Sequence, residues 1–198
     1  IVPTIAFLII FNVFPLLYSL GYSFTDFRAS TNAPANFIGL QNYRELLNDP
    51  FIWRNFTITA KYVIISVSGQ VLVGFGLAML LNRSFPLKGL VTTLLLLPMM
   101  LSMAVVGLSW KLLYDPSFGI INYALGLGKF EWLADPQVAL YAVALTDIWM
   151  WSPFVMLLSL AGLSAVPKHL YEAAEIDRAS GIYTFFRITL PLVAPILM

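Results

Sequence analysis

Four long apolar stretches, 1–25, 62–82, 90–110 and 138–166, alternate with polar connections, and a fifth begins at Ile188. About 20 helical residues cross a hydrocarbon core of about 30 Å. Each of the four therefore predicts a spanning helix, and 188–198 predicts only the start of one. Pro15 is expected to kink the first span, and Pro98 and Pro153 to interrupt the hydrogen-bond ladders of the third and fourth. Gly74 and Ala78 form a small-xxx-small pair, which predicts a helix-packing seam. Lys61 lies near the outer end of the second span, where its stem can snorkel.

The connections carry their own signals. Residues 26–54 predict a loop around Asn32-Ala33-Pro34 and a short surface helix over 41–47. Residues 83–89 form a tight basic turn holding Pro86, and 111–137 form a loop. Asp115-Pro116-Ser117-Phe118-Gly119 should turn there, Gly126 and Gly128 follow, and Trp110 and Tyr114 mark an interface belt. Residues 167–177 predict a short helix with Pro167 at its first position. Leu170, Ala173, Ala174 and Asp177 fall on one face of it, with Tyr171 and Glu175 on the neighbouring one. A ridge of small residues bordered by Glu172, Glu175 and Asp177 suits a docking helix. The chain begins at Ile1 without Met and ends inside a fresh apolar run, so it is expected to be a fragment at both ends. Its first stretch exceeds a usual signal-peptide core and lacks a small-residue cleavage pattern before Asp26.

Composition agrees with a polytopic membrane protein. Charged residues make up 11% and mean hydropathy is +0.84, whereas about a quarter of a soluble domain is charged. A net charge of +1 without a basic run gives no case for nucleic acid. With no cysteine and one histidine, His169, neither a disulfide framework nor a metal site of histidine and thiolate ligands can be built. There is no G-x-x-x-x-G-K-[ST], H-E-x-x-H or G-x-S-x-G. Gly126-Leu127-Gly128-Lys129 is too short for a phosphate loop and lacks its hydroxyl.

Orientation follows from Lys and Arg in the connections. Arg83, Lys88, Lys168, Arg178 and Arg187 fall within about 33 residues on one side, against Arg28, Arg44, Arg54, Lys111 and Lys129 within about 56 on the other. That bias places 167–191 in the cytoplasm and the loops at 26–54 and 111–137 outside.

One residue stands out within the spans. Asp147 is an acid in the middle of an apolar run, which usually faces a cavity or a partner. Met150, Trp151 and Phe154 follow at i+3, i+4 and i+7. A carboxylate beside aromatic rings suits a sugar, whose hydroxyls bond the acid while its C–H face stacks on a ring. Alternatively, Asp147 pairs with Lys61 or caps a neighbouring helix, and the aromatics are packing.

Glu172-Ala173-Ala174, three residues, Arg178, nine residues, then Ile188-Thr189-Leu190-Pro191 resembles the EAA loop of membrane subunits of bacterial binding-protein-dependent ABC importers. FPLLYSLGYSFTDF, FIGLQNYRELLNDP, LLLLPMM, LYDPSFGIIN and DIWMWSPF are similar to the carbohydrate-uptake branch that includes maltose and glycerol-3-phosphate importers. The resemblance implies an all-α membrane bundle of the type I importer kind, with four full spans and the start of a fifth. It implies a first helix over 1–25, an extracytoplasmic loop over 26–54, and a transmembrane core over 55–198 containing the cytoplasmic EAA loop, 167–191. It implies a permease subunit in the bacterial inner membrane with no cofactor and no catalysis of its own. Its implied partners are a second homologous permease, two ATP-binding subunits and an extracytoplasmic solute-binding protein, with a sugar or polyol as cargo.

By the same resemblance, Tyr171, Glu172, Ala173, Ala174, Ile176, Asp177 and Arg178 couple to the ATPase. Asp147, Met150, Trp151 and Phe154 align with substrate-touching residues, though more of that site lies on the helix after Leu190. One departure is Arg178, which stands where the motif has glycine. If that position needs φ > 0, arginine there costs about 1–2 kcal/mol. Glycerol 3-phosphate is the alternative cargo, although it would want cationic groups that the third to fifth spans lack. A secondary transporter using Asp147 is a further alternative, without a second buried acid to support it.

Overall fold

The computed structural model describes residues 2–28 and 34–197, leaving the expected loop at Asn32 and Ala33 outside the described residues. Among them the chain is helical, with one isolated bridge between Thr25 and Phe37. It divides into two compact units, 1–59 and 60–198.

The first unit opens with α1 (Val2–Leu8) and α2 (Phe14–Tyr22), joined by a π turn over Ile9–Val13. Together they are long and apolar enough to cross a membrane, and no residue of either is buried. The π turn explains how Pro15 is accommodated. A proline has no N–H, and its ring strikes the carbonyl four residues earlier. The widened turn, closed by Phe14 N–H donating to Ile9 O, ends two residues before it. The chain then doubles back through a clasp in which Asn36 donates from its backbone and side chain to the two carboxylate oxygens of Asp26, at 2.7 and 3.1 Å. Those two bonds hold the Asp26 carboxyl below its ordinary range. After the turn at Gly39, with φ +60°, α3 (Gln41–Asn48) begins. Asn42 Nδ2 donates to the carbonyls of Ser23 and Thr25, both at 2.9 Å, satisfying orphan acceptors past the end of α2.

The next helix, α4 (Pro50–Leu81), begins well before the expected 62. Asp49 stops α3 in extended backbone, its carboxylate accepts from Phe51 N–H at 2.8 Å, and Pro50 starts the new helix. Residues 50–54 are therefore helical, where the sequence suggested loop.

In the second unit, α5 (Lys88–Met100) and α6 (Met103–Leu113) share the third apolar run but are bent by 96°. Pro98 thins the last turn of α5, Leu101 turns extended, and Ser102 caps α6 by accepting from Val105 N–H. The run thus contains a broken ladder with a fresh N-cap, a larger departure than one missing bond. The connection 111–137 is built, not bare loop. Asp115 Oδ1 accepts from Ser117 and Phe118, and α7 (Ile120–Leu125) ends at Gly126 with φ +65°. Buried Asn122 accepts from Trp132 Nε1 at 2.7 Å and donates to Phe130 O at 2.9 Å. Tyr114 donates to Ala142 O on the following helix, so the expected belt residue is a buried packing residue.

That helix is α8 (Pro136–Ala165), capped by Asp135. It is the axis of the unit: 39% of its apolar window is buried, against none in the first span. A cluster of Ala78, Leu81, Met156, Leu163, Val166 and Val193 joins α4 to α8 and to α11 (Leu190–Leu197). α4 and α8 run in the same direction, since Gly69 faces Ile148 and Gly74 faces Ser152 to Met156. The seam expected from Gly74 and Ala78 is this interface. Between α8 and α11 lie α9 (Lys168–Ile176) and α10 (Gly181–Thr184). A second π turn, Phe185–Thr189, again ends two residues before a proline, Pro191.

A Cβ on Gly74 would lie 2.6 Å from Ser152 O and 2.9 Å from Met156 N, atoms that cannot swing aside. Gly74→Ala should therefore lower stability by about 1–3 kcal/mol. Gly76→Ala, one position with no atom within 4 Å, should be neutral or gain up to about 1 kcal/mol. Thermal unfolding of the full-length protein in detergent checks this, the expected result being a lower Tm for the first variant only.

Candidate functional site

Two groups of residues singled out by the sequence lie at different places in the second unit. The first surrounds Asp147 on α8. Its carboxylate is half-buried and accepts through Oδ2 from Gln70 Nε2 of α4 at 2.8 Å. The hydroxyl of Tyr62, two turns earlier on α4, lies beside the same carboxylate. Lys61 is exposed, and Gln70 is the partner in its place. Trp151 is half-buried, Phe154 is 46% exposed, and their rings meet edge to face with centroids 6.5 Å apart. Met150 is buried at 7% exposure, so of the four it is the one turned furthest into the protein.

The residues that sequence reasoning missed are Gln70, Tyr62 and buried Ser66. The signal was present, because Tyr62, Ser66, Gln70, Gly74 and Ala78 recur every fourth position. Residues at that spacing form one ridge of a helix. The small pair at its C-terminal end is continuous with a polar trio at its N-terminal end.

The second group is α9. Pro167 is its N-cap, with ψ 129°, and not its first helical residue, so the helix spans nine residues. The preceding helix ends at Ala165 and a proline's fixed φ sets the turn between them. Leu170 and Tyr171 pack on the α4–α8–α11 cluster, and the Tyr171 hydroxyl is 3.1 Å from Thr189 Oγ1. Ala174 is buried by the chain itself, whereas Glu172, Ala173, Glu175, Asp177 and Arg178 are exposed. Ile176 is 82% exposed, an apolar side chain at the tip of a charged helix. Leu170, Ala173, Ala174 and Asp177, the face expected to act together, line one groove of about 590 Å³ with Ser180 and Tyr183.

The end of α9 answers the question raised by Arg178. Its φ is +52°, in the left-handed region. Arg178 N–H donates to Glu175 O at 3.0 Å and Ala179 N–H to Ala174 O at 2.9 Å. This pair of bonds is a Schellman cap, with arginine at the position that glycine favours. The glycine departure therefore leaves the turn intact and strains one residue.

The sequence matches the family described as binding-protein-dependent transport system inner membrane component over residues 70–198. Among similar proteins, the trehalose/maltose transport system permease protein MalF of Thermococcus litoralis is 34% identical, covering 100% of this chain and 68% of its own. The sulfoquinovosyl glycerol transport system permease protein SmoG of Agrobacterium fabrum is 36% identical, covering 98% and 64%. The sn-glycerol-3-phosphate transport system permease protein UgpA of Pectobacterium atrosepticum is 29% identical, covering 99% and 67%. The chain thus spans about two thirds of the length of these relatives. In fold it is similar to a bacterial ABC transporter importing the acidic polysaccharide alginate, with TM-score 0.81, 24% identity, and coverage of 98% of this chain and 66% of that one.

The left-handed Arg178 gives a direct test. Arg178→Gly removes about 1–2 kcal/mol of backbone strain, offset by about 0.4–1 kcal/mol of added freedom in the unfolded chain, for a small net gain. Arg178→Val, β-branched at the same φ, should loosen the turn. Hydrogen exchange over 168–179 checks both, with protection expected to rise for glycine and fall for valine.

Proposed function

This chain belongs to the family of binding-protein-dependent transport system inner membrane components, and from that premise we propose that it is a permease subunit of an ATP-driven importer of sugars or polyols. In this reading it forms half of a translocation path in the bacterial inner membrane, with a second homologous permease forming the other half. An extracytoplasmic binding protein delivers the cargo, and two separate subunits hydrolyse ATP. The chain contributes no bond-breaking chemistry and works by moving as a body.

The observation that carries the coupling half of the proposal is the attachment of α9. Its inner side is fixed by Leu170, Tyr171 and Ala174, and its outer side leaves Glu172, Ile176 and Asp177 for a partner. A push on the exposed side is passed to the α4–α8–α11 cluster through packed side chains. Glu172 and Asp177 offer charge to basic groups of the ATPase, and Ile176 offers an apolar anchor. Asp147, Trp151 and Phe154, with Met150 beneath them, form the cargo-facing patch, around the middle of α8.

The relatives carry both neutral and anionic cargoes by name. A carboxylate at the patch disfavours an anion, so a neutral sugar is the first reading and glycerol phosphate the second.

The experiment is ATP-dependent uptake in vesicles carrying the full-length complex, with labelled oligosaccharides and glycerol phosphate as cargoes. Glu172→Lys is expected to abolish uptake and ATPase association. Asp147→Ala is expected to change which sugar is carried or how tightly, with ATPase association intact. Uptake that persists without ATP, or follows a proton gradient, overturns the importer reading.

A further inference from the structure

We propose that Gln70 is a positioning residue that sets the cargo selectivity of the Asp147 carboxylate, an inference that rests on the reading of Asp147 as cargo-facing. An aspartate with a free side chain in an apolar span can turn toward any donor. Here Gln70 Nε2 fixes Oδ2 at 2.8 Å, and Tyr62 brings a hydroxyl to the same group. Gln70 donates to one carboxylate oxygen, and the lone pairs that this bond does not use remain as acceptors. Because the glutamine amide gives its N–H to Asp147, its own Oε1 is turned from the carboxylate and is itself an acceptor. Asp147 is half-buried, so the pair is reachable from one side.

Two acceptors held by one hydrogen bond match adjacent hydroxyls on a sugar ring. They mismatch a phosphate or carboxylate, which brings acceptors of its own. The bond also crosses from α4 to α8, next to the Gly69–Ile148 contact and one turn from the immovable Gly74 contact. The glutamine is therefore held by a backbone that cannot drift, and the carboxylate inherits that precision.

The test is uptake kinetics in vesicles with the full-length complex, using a labelled neutral oligosaccharide and glycerol phosphate. Gln70→Ala is expected to raise KM for the oligosaccharide about tenfold with kcat within about twofold, and to narrow the preference over glycerol phosphate. Gln70→Glu replaces the donor by a second carboxylate that cannot bond the first when both are ionised, so oligosaccharide uptake should fall at least as far as in Gln70→Ala. The exchanged pair, Gln70→Glu with Asp147→Asn, rebuilds the bond with donor and acceptor swapped. It should recover most of the affinity that Gln70→Glu alone loses.

If Gln70→Ala leaves KM and cargo preference unchanged while Asp147→Ala moves them, the role of Gln70 is overturned and that of Asp147 stands. If Asp147→Ala changes neither, the reading on which the inference rests has failed. If Gln70→Ala does not assemble, the exchanged pair decides: recovery of assembly without recovery of affinity makes the bond merely structural and overturns the proposal.

Discussion

At Gly74 the backbone of α4 lies against the backbone of α8, with Ser152 O and Met156 N nearer than any side chain would permit. In a bilayer, lipid is as apolar as leucine, so helices gain little from hiding apolar surface and associate through close packing and polar bonds. The α4–α8 seam uses both. One half is small residues and aliphatic packing around Ala78, Met156 and Leu163. The other half is polar, with Gln70 bonded to Asp147. The first half fixes the distance between the helices, and the second half depends on that distance being right. From the same cluster hang α9, through Leu170 and Tyr171, and α11, through Val193. The Asp147 patch and the exposed side of α9 are thereby two ends of one packed object.

Prolines in this chain act through their surroundings. Pro15 and Pro191 each follow a π turn by two residues, and the helix continues past both. Pro153 sits inside an unbroken α8, where Ser152 bonds Ile148 O and the neighbouring helix packs tightly. Pro98 alone precedes a sharp bend, because Ser102 stands four residues on and offers a ready cap for a new helix. The same residue type gives three outcomes according to what can absorb its missing donor.

Much of this was legible in the sequence where a local rule dominates. The apolar runs, the Gly74–Ala78 seam, the surface helix beginning at Gln41 and the Asp115 turn each follow from spacing or turn chemistry. At Arg178 the motif resemblance raised the condition of a position needing φ > 0 and left it open; the backbone there is left-handed, at +52°. What escaped depends on partners far along the chain. Gln70 is 77 residues from Asp147, and although the every-fourth-residue ridge of α4 marks its face, nothing local names its partner. The helix α7 was read as loop because its six residues rest on Asn122 bonds to residues further on and not on amphipathic periodicity. Ala174 read as an offered surface, yet its own chain covers it.

The account holds that α9 moves as one body with α8. Because the chain has no cysteine, spin labels can be placed at Ile176→Cys and Tyr141→Cys, both exposed, in a full-length complex whose other subunits are cysteine-free. Electron-spin distances would then be compared with and without bound ATP. The account predicts that the distance between these two labels stays the same while that from Ile176 to a label on the second permease changes. A changed distance within this chain, with the distance to the second permease constant, would contradict it.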